Sequence, residues 1–246
     1  MTKKFKKLFK LFAIFILIII ILLLIKTYQY VSTGYNMYKV ALENKSIEQM
    51  INEIESQENY TKLEDVKKIY LDAVIAVEDH RFYEHKGIDI FAIMSAIALD
   101  FANNKAISGG STITQQLCKN VYFTQERKIE RKIAEIFMAH KLEENISKDK
   151  ILELYINAIF YGNGYYNIKS ASIGYFGVEP INLTDYQATM LAGIPNAPSL
   201  YNPKNSLELA QKRQKQVLYS MVKYNYITEE QRDMILNEDI DLSMYQ

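Results

Sequence analysis

Cysteine, proline and glycine are all scarce in this chain, and each scarcity closes off a class of structure. A single cysteine, Cys118, in 246 residues cannot form an internal disulfide. A lone thiol in an exported protein is either buried or joins two copies, and Cys118 stands in an apolar helical stripe, so burial is the expectation. Four prolines and nine glycines leave long stretches in which helical periodicity runs unbroken. No run reads convincingly as a strand, and no internal repeat or low-complexity tract is present. Net charge is also lacking, with 29 basic and 29 acidic residues. Six of the basic residues are lysines at or before Lys26, which leaves 23 against the 29 acidic ones in the remainder. A mildly acidic body disfavours a nucleic-acid partner, which needs a basic face. Metal-ligand spacing is missing too, since His80, His85 and His140 do not fall in an H-E-x-x-H pattern.

What the chain does have begins at its N-terminus. Lys3, Lys4, Lys6, Lys7 and Lys10 precede an unbroken apolar run of 15 residues, Leu11 to Ile25. Fifteen helical residues span about 22 Å of a hydrocarbon core near 30 Å, and snorkelling by Lys10 and Lys26 lets Leu8, Phe9 and the Tyr28 to Val31 edge extend it. KTYQYVSTG offers no A-x-A cleavage pattern, so a retained anchor is expected rather than a cleaved signal. Lysines on the N-terminal side place that end in the cytoplasm. The expected organisation is a cytoplasmic basic tail (1–10), a transmembrane anchor (11–31), a linker with an amphipathic helix (32–60) and one extracytoplasmic domain (61–240).

Periodicity and capping pairs predict helices over 46–56, 61–85, 88–103, 111–121, 126–144, 147–160, 167–175, 184–193, 206–224 and 228–236. Ser46 with Gln49, Thr61 with Glu64, Thr184 with Gln187 and Thr228 with Gln231 have capping-box spacing.

Five segments carry chemistry. EDHRFYEHKG (Glu78 to Gly87) follows the apolar AVIAV, so Glu78 is expected to emerge from an apolar wall as a candidate general base. On a continuing helix Glu78, Phe82 and His85 share a face, while Asp79 points about 100° away and does not form an acid pair with Glu78. GGSTITQQLCKN (Gly109 to Asn120) reads as a helix capped by Ser111, with glycine N–H groups open to a phosphate or sugar oxygen and with Ser111, Gln115 and Lys119 on one face. RKIERKIAE (Arg127 to Glu135) sets Lys128, Lys132 and Glu135 on one side, suited to a diphosphate, although a structural ion pair is an open alternative for Glu135. The fourth segment, Lys148 to Gly177, has an apolar stripe at Ile151, Leu154, Tyr155 and Ile159 that reads as scaffold. Its Gly162-Asn163-Gly164 lacks the strand and third glycine of a dinucleotide loop. In the fifth, Leu183 to Pro203, Gln187 is the best ligand candidate.

In order and spacing these segments resemble the five motifs of the peptidoglycan glycosyltransferases, over about Leu63 to Leu236. The resemblance implies Glu78 as catalytic base and Glu135 as the second catalytic carboxylate. It implies Lys119, Arg127, Arg131 and Lys132 as phosphate-binding cations, and Asp79, Phe82, His85, Gly110, Ser111, Thr112, Gln115 and Gln116 as further substrate-binding residues. Asn167, Ser172 and Gln187 depart from the usual glycine, alanine and glutamate of the later motifs, which bears on local loop shape. The implied fold is mostly α, lysozyme-like and two-lobed, with a small membrane-touching lobe near Ile88 to Ile107. The implied activity is polymerisation of lipid II into β-1,4 glycan, with inversion and release of undecaprenyl diphosphate. No cofactor is required on this reading, though a divalent cation, magnesium or manganese, could share the phosphate charge. Partners are lipid II, the growing glycan, the membrane and other cell-wall synthesis proteins. Ser147 and Lys150 fit S-x-x-K, but no S-x-N or K-T-G accompanies them, so a monofunctional polymerase is expected. Two alternatives stay open: a lysozyme-like lytic enzyme, and a catalytically silent lipid II-binding scaffold.

Overall fold

The computed structural model describes residues 3–103, 110–124, 126 and 128–238. Gly109 and Arg127 lie outside the described residues, as does the 104–107 end of the apolar segment. Among the described residues the regular structure is helical, with no β-strand. The helices are α1 (Lys3–Asn44), α2 (Ile47–Glu55), α3 (Lys68–Glu78), α4 (Ile90–Asn103), α5 (Ile113–Tyr122), α6 (Ile129–Asn145), α7 (Lys148–Ala158), α8 (Ile168–Phe176), α9 (Asp185–Gly193), α10 (Leu207–Lys223) and α11 (Glu229–Leu236).

The N-terminal helix is longer than the expected anchor. From Lys7 to Asn44 it is long and apolar enough to cross a membrane, and none of its most apolar stretch is buried against protein. It does not stop near Val31, and residues 32–44 are helix rather than linker. This extension packs along α6. Gly34 makes the approach possible, because a Cβ there would lie 2.7 Å from the Glu130 carbonyl and from Ile133 Cβ. Tyr35 and Tyr38 then close on Phe137 at ring separations of 5.1 and 5.9 Å.

Capping sets the remaining starts. Ser46/Gln49, Thr184/Gln187 and Thr228/Gln231 all form reciprocal boxes, each satisfying two otherwise unpaired N–H groups. Two expectations fail. Thr61/Glu64 opens no α-helix, since a single 3-10 turn at Leu63–Asp65 intervenes before α3 starts after Lys67. The cap of α5 is Thr112, not Ser111, and Thr112 with Gln115 forms the box. Gln187 is likewise a capping side chain, bonded to the Thr184 N–H at 2.9 Å, rather than a ligand group.

Helices α3, α9 and α10 pack on one another on one side of the core, and α5 packs between α6 and α7 on the other. Tyr70, Leu117, Met138, Tyr155 and Val217 are among the side chains buried in it. Cys118 is fully buried, as expected. Helix α4 contributes nothing to this core among its described side chains, and Ile90, Phe91 and Met94 on it are exposed.

Candidate active site

The site is built where α3 ends. Helix α3 stops at Glu78, because Asp79 takes an extended backbone (φ −160°, ψ 70°). The expected continuous helix from Glu78 through Phe82 to His85 is therefore absent. What ends it is visible in the Asp79 carboxylate, which accepts the Ile113 N–H at the first turn of α5 at 3.0 Å and lies 3.0 and 2.9 Å from His85 Nε2. His85 Nδ1 faces the Lys148 ammonium at 3.4 Å, and Lys148 pairs with Glu143 at 2.8 Å. With a permanent donor on the Nδ1 side, the imidazole donates from Nε2 to Asp79. Phe82 is fully buried beneath the same lysine, which sits 4.5 Å from its ring. Asp79, Phe82 and His85 thus tie α3 to α5 and α7, and Asp79 also borders the cavity beside Glu78.

The neighbouring acid turns the other way. Glu78 accepts from Gln116 Nε2 at 2.8 Å and meets Arg213 Nη2 of α10 at 3.4 Å. Its carboxylate is thus met by an amide and a guanidinium, while Ala76 and Val77 of the AVIAV run line the cavity beside it. Gln116 contacts the base itself, and Gln115, one residue earlier, is buried with its Oε1 on the Thr112 N–H at 3.0 Å. Ser111, Gln115 and Lys119 do not form one ligand-facing row, since the true cap draws Gln115 inward. Thr112 is fixed from outside as well, donating its hydroxyl to the Gly87 carbonyl at 2.7 Å. Gly87 is the one residue type that suits that bend: its φ is +84°, and a Cβ would lie 2.9 Å from the backbone of Ala139 and His140 on α6.

Two unlike regions meet at Ser111, near Glu78. On one side is a cavity of about 200 Å³ whose walls include Glu78, His80, Asp89, Gly110, Ser111 and Tyr224. His80 stacks on Tyr224 at 3.8 Å and 9°, and burial holds its pKa below the ordinary histidine value despite Asp89 and Asp79 nearby. Among the described residues, no lysine or arginine lines this cavity. On the other side are the cations. Lys132 Nζ reaches Ser111 Oγ at 2.5 Å and Glu135 Oε2 at 3.0 Å, while Arg131 lies 3.3 Å from Glu135 Oε1. Lys119 is half-buried within the fields of Glu135, Arg131, Lys132 and Glu78, and desolvation lowers its pKa. Glu135 itself is 2% exposed, so its carboxylate aligns Arg131 and Lys132 from beneath. Lys128, expected on the same row, is exposed and paired with Glu126 at 2.6 Å. Ser111 borders both regions.

The described residues hold no group of three or more histidine, cysteine or carboxylate side chains able to bind a metal. The expected phosphate site is a set of cations around an already paired Glu135, a donor set unsuited to magnesium or manganese.

Residues 43–222 match the family model described as Transglycosylase. The chain belongs to the transglycosylase family. Penicillin-binding protein 1A of Neisseria lactamica is 44% identical over 186 residues, which is 76% of this chain and 23% of that protein. Penicillin-binding protein 1A of Aquifex aeolicus is 40% identical over 181 residues, 74% of this chain and 25% of its own length. This transglycosylase chain thus spans about a quarter of the curated relatives it matches. A crystal structure of penicillin-binding protein 1A from Haemophilus influenzae aligns over 74% of this chain and 18% of its own, at 26% identity and a TM-score of 0.44.

Sequence reasoning did not single out Arg213. It lies 135 residues after Glu78, in a helix whose KRQKQ run reads as an ordinary solvated face. Nothing local marks it. Its only early signal is that it borders the stripe of Ala210, Gln214, Val217 and Met221, where a side chain can stay half-buried.

Proposed function

We propose that this transglycosylase polymerises lipid II into linear glycan strands, using Glu78 as general base. The observation that carries this reading is the setting of Glu78, which lines a hydroxyl-bearing cavity that Ser111 joins to the cation cluster of Lys132 and Arg131. The cavity suits the acceptor saccharide, whose 4-hydroxyl lies against the base. The cations suit the diphosphate of the donor. Glu78 takes the hydroxyl proton as that oxygen forms a bond to C1 of the donor sugar, and the C1–oxygen bond to the diphosphate breaks with inversion. The leaving undecaprenyl diphosphate keeps the bonding electron pair, and Lys119, Arg131 and Lys132 compensate its charge in a partly desolvated setting where such compensation is strong. Glu78 then releases its proton to solvent. Ser111 supports both halves, as it borders the cavity and is held by Lys132.

Membrane placement follows from the same reading. Helix α1 anchors the chain with its lysine-rich end in the cytoplasm and the catalytic domain outside, and exposed Ile90, Phe91 and Met94 on α4 give the domain a second contact with lipid. A lytic enzyme has no use for a diphosphate cradle, which weighs against that alternative. The deciding experiment is elongation of labelled lipid II resolved on a gel, alongside solubilisation of purified sacculi. Polymer without solubilisation supports the proposal, and solubilisation without polymer overturns it.

A further inference from the structure

Tyr155 lies on α7 in the stripe that reads as scaffold, and it is fully buried. Its hydroxyl nevertheless has a polar task. It donates to Gln116 Oε1 at 3.2 Å, and the other end of the same amide donates to Glu78 Oε2 at 2.8 Å. The direction of this chain is fixed by chemistry at both ends. An ionised carboxylate only accepts, so the amide must present its NH₂ to Glu78. Its oxygen then points at Tyr155, where burial keeps the phenol protonated by raising its pKa well above the usual tyrosine value. This half-buried amide oxygen would lose its protein donor without Tyr155, and the amide would be free to rotate away from the base.

We infer that Tyr155 is a positioning residue for the transfer reaction, acting through the Gln116 amide to fix the orientation of Glu78. The inference rests on the proposed role of Glu78 as base. It explains why α7, which contributes no group to the cavity or to the cation cluster, is coupled to the end of α3 through α5. Arg213 holds the opposite oxygen, Oε1, at 3.4 Å, so removing Tyr155 leaves the carboxylate held from one side.

The test is a double-mutant cycle of Tyr155→Phe and Gln116→Met, with lipid II elongation, pH dependence and hydrogen exchange as readouts. Tyr155→Phe keeps the ring and is expected to lower kcat by roughly threefold to tenfold, the worth of one hydrogen bond, with KM within twofold. The acid limb of its pH–rate profile moves to higher pH, because the carboxylate loses a dependable donor. In the double variant the loss equals that of Gln116→Met alone, since the hydroxyl then has nothing to act through. Losses that multiply, or a Tyr155→Phe enzyme with wild-type kcat and pH profile, overturn the inference. Exchange of the Gln116 side-chain amide needs no substrate: protection present in the wild type and lost in Tyr155→Phe supports the positioning role, and unchanged protection overturns it. A wild-type protein that makes no polymer overturns the polymerase reading, and the exchange measurement then still decides whether Tyr155 orients the amide. If Tyr155→Phe does not fold, Gln116→Met must show the same kcat loss and pH displacement; a wild-type profile in that variant overturns the inference.

Discussion

Replacing Asp79 by asparagine tests the division of labour between the two adjacent acids. Both donors that meet the Asp79 carboxylate, the Ile113 N–H at 3.0 Å and His85 Nε2 at 2.9 Å, need an acceptor. Only an asparagine carbonyl at the Oδ2 position accepts from both, and it sets the NH₂ at the Oδ1 position, which lies 3.0 Å from His85 Nε2. The imidazole cannot escape by moving its proton, because Lys148 occupies the Nδ1 side. Two hydrogen bonds lose the charge of their acceptor, which takes each from about 1.5–3 kcal/mol to about 0.5–1.5 kcal/mol. Taken together these give a destabilisation of about 2–3 kcal/mol. For a domain of this size each kcal/mol moves Tm by about 2–4 °C, so thermal unfolding of Asp79→Asn should begin about 4–12 °C below wild type. Elongation should fall as well, because the displaced start of α5 carries Gln116 and Lys119 with it. Circular dichroism melts of the two proteins decide the matter. An Asp79→Asn protein that melts within 2 °C of wild type, on the scale that relation sets, would show that the carboxylate is not the clamp between α3 and α5.

Glu78→Gln should behave in the opposite way: elongation falls by about 10² to 10⁴ while lipid II binding persists, and an enzyme within about tenfold of wild type, short of that range, would remove Glu78 as base. Cys118→Ser should lower Tm, because a hydroxyl replaces a fully buried thiol at a cost of about 1–3 kcal/mol, yet leave elongation by the folded protein within about twofold; a folded variant that has lost its turnover would refute this. Burial lowers the pKa of Lys119, so over the window from its folded value up to the ordinary 10.5 the unfolded chain binds more protons than the folded one, and stability rises with pH. Affinity for the diphosphate substrate should fall across that same window as the ammonium is lost, and Lys119→Arg should move that loss to higher pH; binding that stays flat to pH 10.5 would exclude Lys119 from the phosphate site.

The helical fold was legible because capping pairs and apolar stripes are local. Ser46, Thr184 and Thr228 name the starts of three helices from four residues each. The positions of Glu78, Ser111, Lys132 and Glu135 around one site were legible in the same sense, from the ordered motifs. What periodicity cannot convey is the partner of a buried polar atom, because that partner belongs to another helix. Thr112 and Ser111 are both good caps, and the choice between them is made by the Gly87 carbonyl, which receives the Thr112 hydroxyl. That choice turns Gln115 inward to cap the helix and leaves Gln116 to meet the base, an inversion of the roles expected from spacing.

The adjacent acids make the same point about cause. A continuing helix separates Glu78 from Asp79 by about 100° and so denies them a shared face. They are indeed separated, but by a different device. The helix stops between them because the Asp79 carboxylate is required by the Ile113 N–H and by His85. Helix termination, rather than helical pitch, turns one carboxylate toward the cavity and commits the other to the interior. The residues that enforce this arrangement, Lys148 on α7 and Arg213 on α10, lie 69 and 135 positions from the acids they serve. Each looks from its own neighbourhood like an ordinary surface cation, so only packing could assign it to the site.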